Sequence, residues 1–181
     1  MSQIQEFLSA TTKLYFGFEH REEGFSFIRT HVLLTQAFYS LLFISIWYYL
    51  ITSNNYNILN IIGSGILFSL STFLAVGLIH LVMRILGGIG EFREMYKFGL
   101  CIWFFPTLIN IVVYLLSLIF QNKTLSFIFG IFLALLAVYT FIVSMLIYGK
   151  IQKLSVEYSF LGLLIPFLIS SLFIYIIRLT I

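Results

Sequence analysis

Residues 58–83 read "ILNIIGSGILFSLSTFLAVGLIHLVM". The stretch contains no Asp, Glu, Lys or Arg, and it exceeds the roughly 20 helical residues that cross about 30 Å of hydrocarbon. Lipid accepts Leu, Ile and Phe on every face of a helix, provided the backbone bonds are satisfied within it. The same composition continues on both sides, with 61% hydrophobic and 9% charged residues over 181. A chain of this kind has too few polar groups to cover a surface facing water. It reads as an all-α integral membrane bundle.

Four more runs match the first, so the expected spans are residues 30–51, 58–83, 98–120, 125–148 and 160–177. Short Asn-rich connections, "TSNNYN" (52–57) and "QNKT" (121–124), join neighbours as antiparallel pairs. "GKIQKLSVEY" (149–158) is a longer polar link. The apolar runs do not alternate at period two, which excludes a membrane β-barrel.

Charge placement sets the orientation. Eight of the ten Lys and Arg (Lys13, Arg21, Arg29, Arg84, Arg93, Lys97, Lys150 and Lys153) fall on one side, leaving Lys123 and Arg178 on the other. Positive charge stays cytoplasmic, so the N-terminus is expected inside and the C-terminus outside. All seven Glu share the Lys/Arg-rich side. No basic start with a short apolar core marks a cleavable leader, so the first span is expected to act as its own insertion signal. A net charge of +3 is too small to suggest nucleic acid.

Residues 1–27 form the expected cytoplasmic amphipathic segment, with residues 28–181 as the five-helix domain. Ile4, Phe7, Leu8, Thr11 and Tyr15 have helical spacing, which fits either a helix lying at the interface or a leader into the first span. In "HREEGF" (20–25), Gly24 is the expected breaker.

Between the second and third spans lies "LGGIGEFREMYKF" (86–98). Gly87 and Gly88 are placed to end a helix, because one of them takes a positive φ at the C-cap, and Gly90 allows a tight turn. Glu91 favours the positive end of a new helix. Phe92, Met95 and Tyr96 share one face, predicting a short interfacial helix before the chain re-enters lipid at Phe98. Phe7, Leu8, Phe92 and Met95 are expected at shallow depth, as a wedge in one leaflet.

A glycine signature of the form GG-x-G-x-F between the second and third helices resembles that of the Yip family of polytopic membrane proteins. Here it is Gly87, Gly88, Gly90 and Phe92, followed by Pro106 early in the third span. Helix count, orientation and the approach to the first helix agree over residues 14–180. The resemblance implies a five-helix Yip domain acting in membrane organisation or trafficking, and a small GTPase as partner, since eukaryotic members interact with Rab-type GTPases. Those relatives carry a longer cytosolic region ahead of the membrane. The short segment here points to a prokaryotic member in the cell membrane.

Site chemistry is sparse. No Asp occurs and no Glu lies within a span, which disfavours ion-coupled transport. His80 and Arg84 share a helix face, and Arg93 and Lys97 follow the "GGIG" turn; these four are the candidate lipid-headgroup contacts. Interfacial anchoring and a purely structural turn are the simpler readings. His31 and Cys101 make no metal set by spacing, the lone Cys101 packs as a small hydrophobe, and no catalytic or cofactor motif is present. Gln36 and Asn110 are expected to bond between helices. Small residues from Gly63 to Gly77 suit close packing, within the chain or in a homo-oligomer. Pro106 and Pro166 bend their helices, as gates or as static shape. The favoured reading is a non-enzymatic scaffold or adaptor acting on membrane lipids, with a small oligomeric transporter or channel as the alternative.

Overall fold

The computed structural model describes residues 3–17, 19–52, 58–120 and 122–180. The described chain is helical, in the order α1 (Gln3–Phe16), α2 (Arg21–His31), α3 (Leu34–Thr52), α4 (Ile58–Ile85), α5 (Phe92–Phe120), α6 (Lys123–Gln152) and α7 (Val156–Thr180). Four of these, α3 to α6, are long and apolar enough to cross a membrane, and α7 covers the fifth apolar run. Large apolar side chains such as Leu67, Ile119 and Phe127 point outward, as suits a lipid-facing surface. The expected turn over 53–57 and Gln121 lie outside the described residues.

Helix α5 is the centre. It packs against α3, α4 and α6, while α7 closes a four-helix ring by packing on α4 and α6. Along α5, Met95, Phe98, Leu100, Cys101 and Ile102 are buried. Gly99 makes close approach possible, since a Cβ there would stand 2.8 Å from both the Tyr148 hydroxyl and Val76.

Several boundaries differ from the sequence reading. The first span begins at Leu34, not residue 30, because Val32 is extended (φ −81, ψ 121) and separates α2 from α3. Among the described residues, Gln36 makes no bond to another helix; its Oε1 accepts from the Leu33 N–H at 3.0 Å, capping the start of α3. Gly24 breaks nothing. It is buried inside α2, where a Cβ would lie 2.7 Å from the Ala10 carbonyl oxygen and the Leu14 nitrogen, so it lets α1 and α2 cross closely. Residues 92–98 form no separate interfacial helix, since α5 runs unbroken from Phe92.

The N-terminal helices are docked on the bundle. Phe7 meets Phe104 edge to face at 5.9 Å, Tyr15 stacks on Phe105 at 5.8 Å, and the Tyr15 hydroxyl bonds that of Thr140. Phe104 stands 12 residues after Phe92 (104 − 92), so α1 is seated about 18 Å along α5. Phe7 and Met95 are buried, whereas Leu8 is exposed. The expected four-residue shallow wedge is therefore not formed: packing against α5 and α6 claims half of it.

Candidate functional site

The glycine turn is closed by its own bonds. Gly87 has φ +97; its N–H donates to the Arg84 carbonyl at 3.1 Å, and the Gly88 N–H donates to that of Met83 at 2.8 Å. This pair of bonds is a Schellman cap, the device that satisfies the last carbonyls of a helix. The next two amides turn to the end of α6: Ile89 N–H to the Gln152 carbonyl at 3.1 Å, and Gly90 N–H to Gln152 Oε1 at 3.0 Å. All four N–H groups of "GGIG" are thus engaged, and the turn presents no ready cradle for a phosphate. A Cβ at Gly88 would lie 2.6 Å from Gln152 Oε1, and one at Gly90 would collide with the Ile151 carbonyl.

Gln152 is the hub that sequence reasoning missed. It is fully buried, and its amide donates to His80 Nδ1 at 2.8 Å and to Met95 Sδ at 2.6 Å. His80 also packs edge-on to Phe92 at 5.5 Å. The polar run 149–158 made Gln152 look like part of a solvated link; only the contact between helix ends gives it partners. The end of α6 repeats the Schellman pattern, with Lys153 at φ 55 in the glycine position and the Leu154 N–H donating to Gly149 at 2.9 Å.

The sequence-predicted residues separate into two groups. Gly87, Gly88, Gly90, Phe92 and His80 are brought together around Gln152. Arg84 is exposed, and its Nη1 caps the Gly88 carbonyl at 3.1 Å. Lys97 reaches α2, donating to the Arg29 carbonyl at 2.9 Å. Arg93 is exposed. Of the four predicted headgroup contacts, Arg84 and Arg93 face outward, whereas His80 and Lys97 engage Gln152 and the Arg29 carbonyl.

Around this end, ion pairs fasten α2 to the bundle: Arg29 to Glu94 at 2.6 Å, and Lys150 to Glu22. Lys13 pairs with Glu23 at 2.8 Å, tying α1 to α2. The Lys13 hydrogen bond, with His20 adding to it, holds the Glu23 carboxyl below the usual carboxylate range. Among the described residues, no three His, Cys, Asp or Glu are grouped as a metal site.

Pro106 lies elsewhere. It and Pro166 line a cavity of about 380 Å³ between α4, α5, α6 and α7, together with Asn110, Thr140, Ser144 and Tyr148. Asn110 faces this space and has no hydrogen-bond partner among the described residues.

Protein-family models, curated proteins and solved structures contain no match to this chain.

Proposed function

We propose that this chain is a five-span protein of a prokaryotic cell membrane, N-terminus inside and C-terminus outside, acting as a non-enzymatic scaffold or adaptor. The fastening of α1 and α2 carries the reading. Arg29–Glu94 and Lys150–Glu22 hold α2 against the end of the bundle where α5 begins and α6 stops, Lys13–Glu23 ties α1 to it as a helical platform, and Arg84, Arg93, Lys97, Lys150 and Lys153 cluster in sequence at the helix ends meeting there. Ile4, Leu8 and Phe16 remain exposed on α1, giving the platform apolar contacts for the bilayer, while Arg84 and Arg93 attract anionic headgroups. The Yip-like signature at Gly87, Gly88, Gly90 and Phe92 favours the same class by resemblance, and a small GTPase partner rests on that resemblance alone.

A small transporter is the second reading, favoured by the cavity onto which both prolines face. One experiment separates the two. Purified protein reconstituted into anionic vesicles is expected to alter vesicle shape by electron microscopy without conducting solutes. Saturable flux of any ion or solute, with vesicle shape unchanged, replaces the scaffold by the transporter.

A further inference from the structure

The four-helix ring encloses a space that no role in the platform accounts for. Its volume, about 380 Å³, is near the lower end of the range for small-molecule sites, roughly 300–1,000 Å³. Among the described residues, no Asp, Glu, Lys or Arg lines it, so a charged occupant finds no opposite charge in these walls. Its walls are mostly Leu, Ile, Phe and Ala. Phe167 and Ser170, on the α7 side, line the cavity yet are exposed, so it opens sideways, where the surrounding medium is hydrocarbon.

Tyr148 marks one end. Its side chain is 1% exposed and lines the cavity, yet its hydroxyl has no hydrogen-bond partner among the described residues. The Tyr148 hydroxyl opens onto the cavity, where a bound donor or acceptor gives it the partner that the apolar walls do not. The other hydroxyls lining the middle are already satisfied: Thr140 donates to the Leu136 carbonyl at 2.7 Å and Ser144 to the Thr140 carbonyl at 2.8 Å. Tyr148 stands four residues from the end of α6 (152 − 148), about 6 Å from that helix end. The proline rings add no donors, because proline lacks an N–H.

We propose that this cavity binds a neutral single-chain amphiphile drawn from the bilayer, with its uncharged hydroxyl head at Tyr148 and its hydrocarbon chain running inward between α5, α6 and α7. The small volume suits one chain rather than two, the uncharged lining selects a neutral head, and the lateral opening admits the ligand from lipid. Asn110 lies at the far end, eleven residues beyond Gly99, where the Tyr148 hydroxyl sits (110 − 99), or about 16 Å along α5. It therefore takes no part in holding the head.

The test uses the full chain in nanodiscs with a monoacylglycerol carrying a diazirine and an alkyne in its acyl chain. Saturable photolabelling is expected, competed by unlabelled monoacylglycerol and not by the matched alkane. Tyr148→Phe, which keeps the ring and removes one oxygen, should weaken labelling about 3- to 10-fold at an unchanged melting temperature. Ala137→Phe, which sets a ring at an exposed position of the cavity lining, should reduce it at least about 10-fold, and Asn110→Leu should leave it intact. Non-saturable labelling, or labelling untouched by both Tyr148→Phe and Ala137→Phe, overturns the proposal. So does loss in Asn110→Leu with retention in Tyr148→Phe, which marks a polar path instead.

Discussion

Gly90 and Gly63 show how one residue type serves opposite ends at the scale of single residues. A Cβ at Gly90 would run into the backbone of Ile151, whereas a Cβ at Gly63 meets nothing within 4 Å. Gly90→Ala must push the end of α6 away and disturb the bond to Gln152, which should cost about 1–3 kcal/mol. Gly63→Ala only removes a flexible residue from a helix and should gain about 0.5–1 kcal/mol. Thermal unfolding in detergent is expected to show a lower midpoint for the first and an equal or higher one for the second. Equal shifts would mean that the contact between the turn and α6 carries no stability.

At the scale of elements, α1 buries Phe7, Ala10, Leu14 and Tyr15 against the rest of the protein. Phe7 is 9% exposed and Leu8 is 38% exposed, so the two neighbours should respond differently to Ser. Phe7→Ser removes the ring that meets Phe104, with a cost of the order of 3–5 kcal/mol, and should release α1 to proteolysis. Leu8→Ser should leave the melting midpoint nearly unchanged while weakening contact with vesicles. The link between α1 and α2 adds a pH dependence. Glu23 titrates below its ordinary value when folded, so its contribution is fully present above its unfolded pKa, about 4.3. It is lost as pH falls through the folded value. Amide protection of α1, corrected for intrinsic exchange, should be lower in Glu23→Gln than in wild type at pH 7. The two should converge as the pH drops well below 4; a constant difference down to pH 3 would show that the Lys13–Glu23 pair does not hold the helices together.

For the whole molecule, the proposed orientation follows from where positive charge lies. In a Cys101→Ser background, Asn54→Cys should react with a membrane-impermeant maleimide from outside intact cells, and Lys153→Cys only after permeabilisation. Lys153 is exposed, unlike its buried neighbour Gln152, which makes it the suitable reporter of the inner side. The reverse labelling pattern would invert the molecule and place the platform outside.

Helical class, the four long apolar helices α3 to α6 and a glycine C-cap within the Gly87–Gly88 pair were legible along the chain, because hydrocarbon length, period and backbone conformation are local properties. The split between α2 and α3 at Val32 was not, since β-branched and leucine residues there continue the apolar pattern without a breaker. Gly24 was misread for a related reason: a glycine that ends a helix and one that lets two helices touch look alike until the partner is known. Only the tertiary structure could reveal that Gln152 gathers the glycine turn, His80 and Met95, or that Tyr148 lines a cavity between α4, α5, α6 and α7. Polar groups in lipid have few alternatives to one another, so their roles depend on which helix ends and faces meet, and that pairing is a property of the assembled bundle.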